Sequence, residues 1–116
     1  EEIVRGIGVK NVAVLNPNNI QQFSEKVKEF YEKEGVSVII ARAPCRLLLV
    51  RSLRRKGLKI PKYEIVDQEK VKKCEDLKEF KCPAIKKRGE EYYIDEDLCF
   101  GCGVCAQICE GIRLKE

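Results

Sequence analysis

Four cysteines near the end of the chain constrain its fold more than any other feature. They lie within eleven positions, with two, two and three residues between them, as Cys99, Cys102, Cys105 and Cys109. Gly101 and Gly103 stand inside the run and allow the backbone to wrap closely around whatever the sulfurs hold. The run therefore predicts a compact loop around a metal centre.

The spacing is that of iron–sulfur proteins. Three thiolates of such a run hold one four-iron cube, and the fourth normally reaches a different cluster. A structural Cys₄ zinc site is the alternative, but zinc prefers two Cys-x-x-Cys pairs set well apart. The spacing favours iron and sulfide, and it implies a second half of the chain that completes the site.

The cysteine content favours metal binding in a reducing cytoplasm. Six of the seven cysteines lie after residue 73, and an odd count is unusual for a secreted disulfide framework. The chain has no His, which excludes Cys–His zinc sites and imidazole catalysis. No apolar run approaches a membrane span and no signal peptide opens the chain. The absence of Met among 116 residues suggests a fragment.

The first 57 residues predict part of a larger α/β domain. A helix over 2–7, a strand over 11–16, an amphipathic helix that stops at Gly35 and a second strand over 36–41 follow one another. This order predicts a parallel strand–helix–strand unit. Two strands make a poor sheet because both edges stay open. We therefore expect residues 1–57 to be the tail of a domain whose other strands lie elsewhere.

A further helix is predicted from Cys45 to Lys56, with its apolar residues inward: Leu47, Leu48, Val50 and Leu53. Eight basic residues and no acidic one lie between Arg42 and Lys62. A solvated helix face is the default interpretation of such a charge run, and docking of an acidic ferredoxin or neighbouring subunit is the alternative. Binding of nucleic acid is disfavoured, since Tyr63 at the edge is the only aromatic residue.

An internal repeat follows a predicted linker over 58–63. Each half reads as a strand, a Cys-containing loop, a short helix and a strand, and a hairpin with its turn at Gly89 joins the halves. Residues 64–116 are therefore predicted to form a two-fold pseudosymmetric, ferredoxin-like domain. The fold class of the whole chain is α+β, a partial α/β unit followed by this domain.

Three stretches together resemble a known family. They are Gly-Val-Ser-Val-Ile-Ile-Ala-Arg-Ala-Pro-Cys over 35–45, Lys-Cys-Pro-Ala-Ile over 81–85 and Leu-Cys-Phe-Gly-Cys-Gly-Val-Cys over 98–105. The second half resembles a bacterial-type ferredoxin domain. The chain as a whole is similar to the C-terminal end of the large, thiamine-diphosphate-binding subunit of indolepyruvate:ferredoxin oxidoreductase.

The resemblance implies that each cluster takes three thiols from one half and one from the other. Carried over, one complete set is present: Cys82, Cys99, Cys102 and Cys105. The second set would need thiols near positions 71, 74 and 77 together with Cys109. Position 71 is Val71, and no cysteine lies between Cys74 and Cys82.

We therefore expect one [4Fe–4S] cluster and one degenerate site. Cys74 and Cys109 would then lie close together and could form a disulfide on oxidation. The alternative is a purely local ligand set: Cys99, Cys102, Cys105 and Cys109.

The function that the resemblance implies is electron transfer from a thiamine site to soluble ferredoxin, within an enzyme that oxidises indolepyruvate. The family's diphosphate-binding Gly-Asp-Gly signature is absent. We therefore expect no complete active site and no thiamine diphosphate on this chain, and partners in the rest of the parent subunit and a second oxidoreductase subunit. A one-cluster domain that acts mainly as a structural or subunit-docking element is the competing hypothesis.

Overall fold

The structure is a computed structural model that describes residues 1–116. It divides into two compact units, Glu1–Ala43 and Pro44–Glu116. This division differs from the predicted boundary after residue 57, because the third helix and the predicted linker over 58–63 lie within the second unit. Long-range hydrogen bonds explain the difference, since Arg46 and Lys62 both donate to backbone carbonyls of the cysteine-rich loop.

The first unit is a strand–helix–strand arrangement, as predicted. Its elements are α1 (Glu2–Gly6), β1 (Asn11–Leu15), α2 (Ile20–Tyr31) and β2 (Ser37–Ala41). The two strands pair in parallel, with Asn11 opposite Ser37. Asn19 caps α2, since its side chain accepts a hydrogen bond from the backbone N–H of Gln22 at 3.2 Å.

The first unit leaves large apolar side chains on its surface. Tyr31 is 90% exposed and Ile3 is 83% exposed, and Ile7 and Val36 are also exposed. Only Leu15 of this unit is buried. The two-stranded sheet leaves one edge of each strand without a partner strand.

The second unit combines helices with two small antiparallel sheets. Its elements are α3 (Arg46–Arg55), β3 (Tyr63–Ile65), α4 (Gln68–Lys73), α5 (Glu75–Phe80), β4 (Ile85–Arg88), β5 (Glu91–Ile94), α6 (Val104–Ile108) and β6 (Ile112–Leu114). β3 pairs with β6, and β4 pairs with β5 around Gly89, whose φ is +60°. Each half of the predicted repeat is therefore a strand, one or two short helices and a strand.

The rotation of α3 differs from the prediction. Val50 is buried, but Leu47 and Leu48 are 57% and 62% exposed. Four consecutive apolar residues cover most of the helix circumference, so their pattern alone does not select the inward face. The inward face instead carries Arg46, Val50 and Leu53, at helical spacing, and the contacts of Arg46 fix it there.

The core of the second unit lies between α4, α5, α6 and β6. Its buried members are Val71, Leu77, Cys105, Cys109 and Ile112. Three of these, Val71, Leu77 and Cys109, are at positions where a second set of cluster thiols would stand. None of the helices has the length and apolar character required to cross a bilayer.

Candidate metal centre

Four cysteines line one cavity of about 300 Å³ in the second unit: Cys82, Cys99, Cys102 and Cys105. Cys105 is buried and the other three are half-buried. Most of the remaining lining is apolar, and it includes Ala84, Ile85 and Phe100. The structure thus brings together a thiol from the first half of the repeat and three from the second.

The turn at the end of α5 positions Cys82. α5 ends at Phe80, and Lys81 follows with a φ of +48°, the only positive φ among the non-glycine residues. This left-handed residue reverses the chain and directs it into Cys82 and Pro83. The backbone N–H of Ile85 then donates to the carbonyl of Cys82 at 3.1 Å, which closes the turn ahead of β4.

Two glycines allow the loop from Cys99 to Cys105 to pack against Pro61 and the first residue of β3. Both have positive φ values, +65° at Gly101 and +78° at Gly103. A Cβ atom at Gly101 would overlap the carbonyl oxygen of Pro61, and one at Gly103 would lie 2.6 Å from the hydroxyl of Tyr63. These positions therefore require glycine for close approach as well as for conformation.

Asp95 and Lys62 hold the beginning of the loop. The carboxylate of Asp95 accepts hydrogen bonds from the backbone N–H groups of Asp97 and Leu98, and its carbonyl accepts from the N–H of Cys99 at 3.0 Å. Lys62 Nζ donates to the carbonyl of Cys99 at 3.2 Å. Lys86 donates a hydrogen bond to Asp95 and forms an ion pair with it, and this lowers the pKa of the Asp95 carboxyl. Asp95 is therefore ionised at neutral pH and accepts hydrogen bonds.

The electrostatics of the cavity favour a cationic occupant. Burial, together with the charges of Cys102, Cys82 and Cys99, raises the pKa of the Cys105 thiol to about 11. Four thiolates this close together repel one another unless positive charge lies among them. A metal centre supplies that charge and deprotonates its thiol ligands.

The donor set fits an iron–sulfur cube. Four cysteine thiolates are the ligands of a [4Fe–4S] cluster. A zinc ion requires its sulfurs to converge to about 2.3 Å from one point, and no three side chains of Cys, His, Asp or Glu converge on a single-ion position. The thiols surround a cavity instead, which suits a cluster that carries its ligands at the corners of a cube.

Cys109 lies elsewhere. It is 3% exposed, belongs to the apolar core with Val71 and Leu77, and does not line the cavity. Burial raises the pKa of its thiol, and a hydrogen bond with Cys74 adds to the increase. Cys74 Sγ also donates to the carbonyl of Ile108 at 3.3 Å, and all seven cysteines are free thiols. Cys74 and Cys109 therefore lie close together, as expected, and their surroundings are apolar.

Two further residues of the cavity were not identified from the sequence. Arg46, counted there only as part of a basic run, lines the cavity, and so does Tyr63. Burial raises the pKa of the Tyr63 hydroxyl, neighbouring thiolates add to this, and the charge of Arg46 opposes it. No spacing or periodicity marks either residue, because Arg46 contacts carbonyls that lie 54 and 55 positions away in the chain.

Comparison with known proteins agrees with an iron–sulfur cluster in the second unit. Residues 92–110 match the family described as "4Fe-4S binding domain". No solved structure is significantly similar to the chain.

Indolepyruvate oxidoreductase subunits IorA from archaea are similar to almost the whole chain. The subunit of Archaeoglobus fulgidus is 42% identical over 116 residues, which cover 99% of this chain and 18% of that protein. The subunit of Methanothermobacter thermautotrophicus is 40% identical with the same coverage. That of Pyrococcus horikoshii is 39% identical over 94% of this chain and 17% of that protein. The resemblance inferred from the sequence is confirmed, and the chain spans under a fifth of the length of these relatives.

Proposed function

We propose that this chain is the iron–sulfur electron-transfer part of an indolepyruvate oxidoreductase. The observation that carries the proposal is the shared cavity, into which the end of α5 and the loop before α6 contribute four thiols. The similarity to IorA subunits supports the class of enzyme. A one-electron centre in a largely apolar pocket is the arrangement that an electron carrier requires.

The proposed ligands are Cys82, Cys99, Cys102 and Cys105, holding a single [4Fe–4S] cluster. The cluster supplies a one-electron redox site whose potential depends on hydrogen bonds to sulfur and on solvent exposure. The chain's own part is to hold the thiolates and to limit water. Ile85, Leu98 and Phe100 line the cavity and serve the second purpose.

The remaining chemistry of the proposed enzyme belongs to other parts. Thiamine diphosphate would be bound by the rest of the parent subunit, since this chain lacks the Gly-Asp-Gly signature. In the proposal the segment 1–57 is the tail of that thiamine-binding α/β domain. Its open strand edges and exposed apolar side chains support this. A second oxidoreductase subunit and a soluble ferredoxin complete the proposed path in the cytoplasm.

Iron and acid-labile sulfide counts on anaerobically reconstituted protein test the proposal. We expect about four iron and four sulfide per chain, as one cube requires, with a reduced-state EPR signal from a single centre. About eight iron per chain would contradict the single-cluster assignment. Stoichiometric zinc without sulfide would contradict the electron-transfer function as a whole.

A second candidate function is structural. Arg46 and Lys62, both from before β3, donate to carbonyls of the cysteine-rich loop. A bound cluster would therefore also fasten the segment from Pro44 to Lys62 to the rest of the unit. If removal of the cluster abolishes assembly with the parent enzyme, the structural role is favoured. If assembly survives while electron transfer to ferredoxin is lost, the relay is favoured.

A further inference from the structure

The side chain of Arg46 reaches from the start of α3 to the cysteine-rich loop. Its Nη2 donates to the carbonyl of Phe100 at 2.7 Å and also to the carbonyl of Gly101. These two carbonyls lie between Cys99 and Cys102 in the chain. The guanidinium is thereby fixed beside two of the proposed cluster ligands.

A second nitrogen of this guanidinium, Nε, has no hydrogen-bond partner in the protein. Arg46 Nε is buried and makes no hydrogen bond, and it is the only buried side-chain nitrogen or oxygen with this property. Arg46 also takes no part in the ion pairs of the structure. A buried N–H of a charged group that lacks an acceptor is costly, so native structures usually supply one.

No thiol of the cavity that Arg46 lines accepts a hydrogen bond from Nε, and sulfur of a bound cluster would supply the missing acceptor. Besides the four thiols and Arg46 itself, the lining of the cavity has two polar side chains, Tyr63 and Lys81, and is otherwise apolar. A cluster held by four thiolates is anionic overall, and it becomes more so on reduction. A fixed cation beside it therefore stabilises the reduced state more than the oxidised state, and hydrogen bonds to sulfur act in the same direction.

We propose that Arg46 tunes the potential of the cluster, with its Nε–H donating a hydrogen bond to sulfur of the cluster or of its thiolate ligands. This inference rests on the proposed [4Fe–4S] site and extends it to a residue outside the repeat. Arg46 is a positioning and tuning residue, since it contributes no ligand. Its effect is to raise the midpoint potential of the cluster.

Redox titration of Arg46→Gln, monitored by anaerobic EPR on the full 116-residue chain, tests the tuning. Gln keeps an N–H donor on a shorter side chain and carries no charge. We expect the equilibrium constant for reduction to fall about tenfold, on the scale of one charge-assisted hydrogen bond, which is about 59 mV for a one-electron couple. Arg46→Lys keeps the charge and lacks Nε, so its midpoint should fall between those of the parent chain and Arg46→Gln.

Arg51→Gln is the matched control. Arg51 lies on the same helix, is exposed and does not line the cavity. It makes the same change in net charge, and water and salt screen its field at the cluster. A midpoint shift for Arg46→Gln no larger than that for Arg51→Gln would overturn the tuning role.

Hyperfine spectroscopy of the unsubstituted protein tests the hydrogen bond directly. This test does not depend on whether the Arg46 variants retain their cluster. We expect ¹⁵N-arginine labelling to produce a nitrogen coupling to the reduced cluster, since no other Arg lines the cavity. Absence of that coupling overturns the hydrogen bond even if the variants lose their cluster. Iron and sulfide counts on the same sample separate the two proposals: a chain without a cluster contradicts both, and a cluster without coupling contradicts this one alone.

Discussion

At the scale of single residues, two thiols of the cysteine-rich run have unlike surroundings. Cys105 lines the cavity, whereas Cys109, four residues later, packs against Val71 and Ile112 in the core. α6 begins at Val104 and ends at Ile108, so Cys109 leaves from the opposite end of this short helix. The sequence alone did not decide between the two ligand sets, because cysteine spacing does not show whether the residue after a helix faces the cavity or the core.

Serine substitutions of Cys82 and Cys109 distinguish the two ligand sets. We expect Cys82→Ser to lose most of its iron, because a cavity thiolate is removed, and Cys109→Ser to retain about four iron per chain. Cys109→Ser should still lower the free energy of unfolding by about 1–3 kcal/mol, since it buries a hydroxyl among apolar groups. Iron counts and thermal unfolding under anaerobic conditions measure both effects. The reverse pattern of iron loss would establish the local set.

Gly103 is expected to tolerate no side chain. Ala in the left-handed region costs about 1–2 kcal/mol, and at Gly103 its Cβ would also lie 2.6 Å from the Tyr63 hydroxyl. Gly103→Ala should therefore unfold at a lower temperature than Gly89→Ala, whose φ of +60° is similar but whose Cβ would meet nothing within 4 Å. Adding Tyr63→Phe to Gly103→Ala should recover part of the loss. No recovery would mean that the hydroxyl is not the obstacle.

At the scale of elements, the two halves of the repeat have different interiors. The second half contributes three thiols to the cavity, while α4 and α5 contribute Val71 and Leu77 to the core. Val71 is 1% exposed and Leu77 is 6% exposed. Apolar packing thus occupies the region in which a second set of thiols would converge.

Thiols at those two positions should create a second site. Val71→Cys combined with Leu77→Cys would add two thiols to Cys74 and Cys109, and we expect reconstitution to raise the iron content from about four toward about eight per chain. The double variant without iron should be less stable by about 2–5 kcal/mol, because core side chains are shortened. Val71→Ser with Leu77→Ser is the control, with similar volumes and no added thiols. If the iron content of the cysteine variant stays near four per chain, the two halves of the repeat are not equivalent in their capacity to bind a cluster.

The elements themselves were largely predictable, and their mutual contacts were not. Hydrophobic periodicity, the Asn19 cap and the Gly89 turn act within a few residues, so α2, the hairpin and the repeat follow from local sequence. The face that α3 turns inward depends on Arg46, which donates to the carbonyl of Phe100, 54 positions away. The predicted linker over 58–63 is packed for the same reason, because Pro61 and Lys62 meet the cysteine-rich loop.

At the scale of the whole molecule, the two units differ in how completely they bury their apolar residues. The second unit has a defined core, whereas the first exposes Ile3, Ile7 and Tyr31 beside a two-stranded sheet. A surface of this kind is typical of a segment that packs against further chain. This feature supports assigning the first unit, Glu1–Ala43, to a larger domain in the proposed enzyme.

In the proposed function, the apolar packing of Val71 and Leu77 would leave the module with one cluster. With one cube, the proposed module stores a single electron, whereas oxidation of a 2-oxo acid releases two. The acceptor would have to empty the module between the first electron and the second. The packing of two aliphatic side chains would thereby impose two separate visits of the acceptor on the proposed module.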